Sequence, residues 1–178
     1  MSILKIPVPD HRPLNTRELT LLKSIFGDAV EYNRVVLQKG GLLTLRNQAV
    51  AWENRVRFPA ARYKLDFING DLSDACWLVH EITHVWQWQN VSGYHPLKAA
   101  QEHLRGSSPY NYNLDAKRPL TSYGWEQQAS IVEHYCRHSI MGNSRLEEFE
   151  AVVRSAIPQP DWAPPREAWA SLQNDNIV

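Results

Sequence analysis

Residues 73–90 read SDACWLVHEITHVWQWQN, and the reading of this stretch decides the rest of the chain. It holds His80-Glu81-Ile82-Thr83-His84, an H-E-x-x-H pattern. On a helix, side chains four apart share a face, so both imidazoles can reach one ion. Glu81 lies one step round, where it can hold a water and take its proton. Metal-assisted hydrolysis needs this set: two neutral nitrogen ligands, a carboxylate base and a third ligand from elsewhere. The spacing predicts a metal helix over about residues 73–89, with Asp71 or Ser73 as N-cap and Asp74 in the first turn. Ala75, Leu78, Val79, Ile82, Val85 and Trp86 give it an apolar stripe that no Gly or Pro interrupts. The plainer reading is a buried helix whose histidines are satisfied by hydrogen bonds. The intact Glu81 speaks against it, because a purely structural site needs no base there.

The third ligand is expected on a second helix, over about residues 124–141 (GWEQQASIVEHYCRHSIM). Trp125, Ala129, Val132, Cys136 and Ile140 repeat at helical spacing, and Gly142 ends the run. Glu126 and Glu133 are seven apart and so share nearly the same angular position. Either carboxylate can face the histidines while the other supports from behind. Ser130, four residues after Glu126, is a further candidate to hydrogen-bond a ligand. His134 and His138 offer a second nitrogen pair, or simply polar residues near a helix C-terminus, where positive charge is favourable. Residues 91–123, between the two helices, are turn-rich, with a short helix expected over 96–105. Tyr110, Tyr112 and Tyr123 are candidates for a phenol that stabilises an oxyanion, Tyr112 and Tyr123 foremost.

Upstream, residues 1–14 carry Pro7, Pro9 and Pro13 and read as extended. Asn15 or Thr16 caps a helix running to about Phe26, stopped by Gly27-Asp28. Residues 30–38 (VEYNRVVLQ) read as a strand, 42–52 stay open between strand and irregular chain, and 63–67 between short strand and loop. Residues 54–58 (NRVRF) alternate apolar and basic, which predicts a half-exposed strand, and Pro59 suits an edge. An edge strand there would bind an extended peptide by strand addition, or be protected by Arg55 and Arg57. Downstream, 146–157 reads as a helix with an acidic start. A Pro- and Trp-rich tail, 158–178, holds a last turn or two over 166–172. The expected class is therefore α+β: a small antiparallel or mixed sheet with a metal helix and a ligand helix. Residues 1–178 read as a single domain with a core over about 15–157.

Composition narrows the partners. The 178 residues carry 19 Lys+Arg against 19 Asp+Glu, which argues against a broad nucleic-acid surface. Cys76 and Cys136, the two cysteines, lie too far apart in sequence for a metal-type pair and read as reduced and structural. No apolar run reaches the length of a membrane span, and MSILKIPVPDHRPL does not read as a Sec-type signal peptide. Cytoplasmic residence is the default expectation, with export by a specialised machine compatible.

Three stretches carry a resemblance: HEITHVWQWQN, then PYNYNLDAKRPLTSYGWEQQASIVEHY, and upstream RELTLLKSIFGDAVEYNRVVL with a strand ending in RFP. Together, over roughly residues 15–140, they resemble an uncharacterised bacterial zincin-like family, described as Vgr-related and found among type VI secretion and Rhs-type toxin loci. The resemblance implies a zinc-dependent peptidase or amidase, with Zn2+ held by His80 and His84 and with Glu81 as base. It favours Glu126, in the pattern Glu126–Ala129, as third ligand over Glu133. Implied partners are a protein or peptide substrate, a secretion-system component and an immunity protein. The alternative is a degenerate zincin that serves a secretion system as a binding or adaptor module. A structural metal site with four ligands and no open position is the third reading.

Overall fold

The computed structural model describes residues 9–40, 48–95, 109–158 and 161–174. The expected helix over 96–105 lies outside these, as does much of 42–52.

The chain enters as a short strand, β1 (His11–Arg12), and turns into helix α1 (Thr16–Phe26). Asn15 and Glu18 form a reciprocal cap there: the Asn15 side chain accepts from the Glu18 N–H at 2.8 Å, and Glu18 accepts from the Asn15 N–H at 3.0 Å. Glu18 does more than cap. It is fully buried and takes both guanidinium arms of Arg12 at 2.7 Å and the Phe67 N–H at 3.1 Å. Leu21, Leu22, Ile25 and Phe26 bury the inner face of α1.

The strand expected over 30–38 forms only in its second half, β2 (Val36–Lys39). Tyr32–Arg34 is a 3-10 turn instead. Its neighbourhood is committed elsewhere: the Tyr32 hydroxyl donates to the Gly27 carbonyl at 2.9 Å, and the Glu31 N–H donates to Gln89 at 2.8 Å. Strands β3 (Val50–Trp52) and β4 (Arg55–Phe58) complete a mixed sheet in the order β1-β2-β4-β3. β2 and β4 are parallel; the two outer pairings are antiparallel.

The edge expected at 54–58 is therefore an interior position: β4 lies between β2 and β3. Its alternation has another cause. Helices cover only one face, so Val56 and Phe58 are buried while Arg55 and Arg57 point to solvent. Pro59 follows the strand, where its missing N–H costs the ladder nothing. Among the described residues the edges are β1 and β3.

Below the sheet runs helix α2 (Leu72–Asn90), capped by Asp71, whose side chain accepts from the Asp74 N–H at 3.0 Å. Helix α3 (Trp125–Met141) packs along it and ends on Gly142, which takes the left-handed conformation at φ 69° that closes a helix. Two shorter helices, α4 (Leu146–Arg154) and α5 (Pro165–Asn174), cover α3, and α5 also reaches α1. α4 stops short of the expected 157, because the residues before Pro158 are biased away from helix. The outcome is a mixed α+β architecture with a small sheet and, among the described residues, five α-helices. The core is continuous from α1 through the sheet to α2, α3 and α4.

Candidate metal centre

α2 is buried along almost its whole length, from Asp74 to Gln87, because the sheet covers one side and α3 another. His80, Glu81 and His84 are thus polar groups held almost out of water, each 5–6% exposed. Such groups need partners. α3 supplies them. Glu126, in its first turn, places one carboxylate oxygen 3.3 Å from Nε2 of His80 and 3.3 Å from Nε2 of His84. The ligand atoms of His80, His84 and Glu126 all lie within 4.8 Å of one another. Among the described residues this is the one group of three such side chains that converges.

The outward-facing ring nitrogens are held as well. Nδ1 of His80 meets Glu133 Oε2 at 3.2 Å, and Glu133 in turn lies 3.7 Å from Arg137. Nδ1 of His84 meets Gln87 Oε1 at 2.8 Å. The Gln87 amide nitrogen donates to the Trp125 carbonyl at 2.9 Å and to Gln128 Oε1 at 3.0 Å. Gln128 donates onward to the Tyr123 carbonyl at 2.7 Å. With its nitrogen so engaged, Gln87 turns its oxygen to His84. Nδ1 of His84 must then carry the proton, and the lone pair of Nε2 faces Glu126. Glu133 imposes the same tautomer on His80. Both rings are poised to donate an Nε2 lone pair to a common point.

The field at that point favours positive charge. Burial opposes protonation of His80, yet hydrogen bonds to Glu126 and Glu133 and the charge of Glu81 carry its pKa up to about 10. His84 is opposed by burial in the same way and raised by Glu126. Burial pushes Glu126 up, but the two imidazoles hold it well below the usual carboxylate range. Glu81 goes the other way, raised chiefly by burial. A cation among these groups replaces the proton the imidazoles otherwise take.

The remaining expected residues are placed as follows. Ser130 is buried one turn after Glu126. The Tyr112 hydroxyl is hydrogen-bonded to Nδ1 of His134, and His138 stacks on Phe149 at 4.7 Å, so these two histidines serve the α3–α4 side. Tyr123 accepts from the Asp115 N–H at 3.0 Å and braces the loop before α3. The tyrosines at the centre are Tyr110, with its ring 5.9 Å from that of His80, and Tyr94, stacked on His84 at 6.4 Å. Burial and the three nearby carboxylates, Glu126, Glu81 and Glu133, push the Tyr110 phenol well above its ordinary pKa. Sequence reasoning missed Gln87, Gln128 and Tyr94. Gln87, three residues after His84, was within reach of the spacing argument; the other two carried no local signal.

Fold and site together define a small α+β protein with a buried His-His-Glu donor set. No protein-family model matches the chain. It is 31% identical over 130 residues to the type VI secretion system spike protein VgrG2b of Pseudomonas aeruginosa; the match covers 70% of this chain and 13% of that protein. The solved effector domain of Pseudomonas aeruginosa VgrG2b aligns with a TM-score of 0.63 and 28% identity, over 82% of this chain and 83% of the domain. The chain is thus homologous to an effector domain within a much longer spike protein. No helix among the described residues is long and apolar enough to cross a membrane.

Proposed function

We propose that this chain is a zinc-dependent hydrolase of peptide or amide bonds with a zincin-like active site, acting as an effector associated with type VI secretion. The observation that carries this reading is the common approach of two Nε2 atoms and one carboxylate oxygen, each imidazole 3.3 Å from Glu126. Donors bound at about 2.0–2.1 Å around a tetrahedral zinc ion stand about 3.3–3.4 Å apart, so the donor set fits in both type and spacing. The likeness to a spike protein's effector domain supports the secretion association. A protein or peptide substrate, a secretion component and an immunity protein are the partners that follow from it.

His80, His84 and Glu126 would hold the ion, leaving a fourth position for water or substrate. A bound zinc ion supplies Lewis acidity, which acidifies a water and polarises a carbonyl. Glu81 is the base. Its raised pKa brings a buried carboxyl nearer to the range where it both accepts the proton of the attacking water and returns it to the leaving nitrogen. Glu133 and Gln87 keep the imidazoles neutral at Nε2. Tyr110 and Tyr94 wall the centre, and Tyr110 keeps its proton and is thus able to donate to an oxyanion.

The test is metal content of the purified protein beside Glu126→Ala, with hydrolysis of casein by wild type and Glu81→Gln. Expected are about one zinc per chain, loss of it in Glu126→Ala, and zinc-loaded but inactive Glu81→Gln. A wild type that takes up no zinc, or activity untouched in Glu81→Gln, overturns the reading. A zinc-loaded wild type that hydrolyses nothing points to the adaptor role instead.

A further inference from the structure

Trp77 sits one turn before Glu81 on the same face of α2. Its ring is held on every side. Phe58 meets it edge-on at 4.9 Å and Phe67 at 6.3 Å, and the Arg62 guanidinium lies 4.0 Å over its face. Its indole N–H donates to the Glu81 carboxylate. Packing alone explains the two phenylalanines. It does not explain why the one polar atom of this ring is aimed at the one carboxylate that the donor set leaves over.

We infer that Trp77 is a positioning residue for the general base: it fixes one oxygen of Glu81 so that the other faces the His80–His84–Glu126 centre. Three properties suit it to this. An indole N–H is donor only, so it binds a carboxylate and cannot compete for the proton that Glu81 must accept. Its geometry is set by the β4 side chain Phe58 and by Phe67, not by the metal centre, so the base is oriented before substrate arrives. The Arg62 cation over the ring draws electron density from the indole and strengthens the donor. Without this contact Glu81 would keep its place in the sequence and lose its aim. The catalytic part of this role rests on the hydrolytic reading above; the contact itself does not.

Two measurements separate them. In the first, the seven indole N–H signals are recorded by 15N-edited NMR on zinc-supplied protein, with Trp77 assigned through Trp77→Phe. Glu81→Ala is expected to move the Trp77 signal upfield and to leave the rest near their wild-type positions. An unmoved Trp77 signal overturns the contact. In the second, Trp77 is replaced by benzothienylalanine, which keeps the ring's shape and exchanges the N–H for sulfur. Expected is a loss of kcat on casein of about 10–100-fold, the cost typical of removing an outer partner from such a site, with KM and zinc content unchanged. Unchanged kcat in an active enzyme overturns the positioning role, because a ring that merely packs loses nothing in this exchange. A wild type inactive on casein, with the Trp77 signal still moved by Glu81→Ala, overturns the hydrolytic reading and leaves the contact standing.

Discussion

Changing Glu133 to Gln isolates what holds the imidazoles from behind. The Glu133 carboxylate meets Nδ1 of His80 at 3.2 Å while Nε2 faces Glu126. As an anion it can only accept, so it keeps the His80 proton on Nδ1 and leaves the Nε2 lone pair for the metal. Glutamine keeps the shape but offers an oxygen or an amide N–H. Either end is reachable by rotation, and the charge that makes His80 a stronger base is gone. Outer partners of this kind are worth about 10–100-fold in metal affinity, or about 1.4–2.8 kcal/mol. The partial exposure of Glu133 and its shared contact with Arg137 place the expected loss at the lower end, near tenfold. Competition for zinc against a chromogenic chelator at neutral pH reads the change directly, with circular dichroism as the check on folding. Gln87→Ala is the companion, expected to weaken binding to a similar degree through His84. The reasoning fails if Glu133→Gln and Gln87→Ala both bind zinc as tightly as wild type. It fails equally if Glu133→Gln abolishes binding as completely as Glu126→Ala, which would make Glu133 a ligand.

Arg12→Met leaves the fully buried Glu18 without its cation and is expected to cost about 3–5 kcal/mol, read as a lowered urea midpoint. Cys76 and Cys136 are fully buried and hydrogen-bonded to each other across the α2–α3 contact, so the folded protein should leave a thiol reagent unreacted and show its two thiols only in denaturant. The pKa of His134 is lowered by burial, with Arg137, His80 and Arg145 adding to the effect against Glu133. Folding therefore prefers it neutral: the stability this contributes is present above its unfolded pKa of about 6.5 and is lost as pH falls through that value. His80 and His84 are raised, so their contribution is complete below about 6.5 and does not blur this window; Glu126 and Glu133 are lowered and act only below the ordinary carboxylate range. Between pH 7 and pH 5, chelator-treated wild type should lose more stability than His134→Gln, by urea titration.

The helices were legible because their signals are local. Asn15 with Glu18, Asp71 with Asp74, and Gly142 mark ends by chemistry that acts within four residues. The pairing of His80 and His84 with a glutamate of α3 was legible from helical spacing, and Glu126 is the one the fold brings to both rings. What escaped is set by the path of the chain between elements. NRVRF has the same alternation whether it borders a sheet or lies inside one with a single bare face. Only the non-local pairings of Val36 with Arg55 and of Trp52 with Arg55 decide it. The tyrosines show the same limit: Tyr110, Tyr112 and Tyr123 are close in sequence, yet one faces His80, one binds His134 and one braces a loop.

The buried Glu18 carries a consequence for how the chain folds. Its partners come from three places: Arg12 six residues before it, Asn15 three before, and Phe67 49 residues after. The Arg12 side chain also reaches across 52 residues to the Lys64 carbonyl. A carboxylate half-way into this pocket has shed water without gaining all its donors, so partly assembled forms are penalised and the last contacts form together. Closing so long a loop is slow compared with forming α1 or α2. The segment that Glu18 anchors runs directly into the Asp71 cap of α2. Docking of the helix that bears both histidines should thus be gated by a carboxylate far from them, and slowing that step should delay zinc uptake in a refolding chain without altering the final affinity.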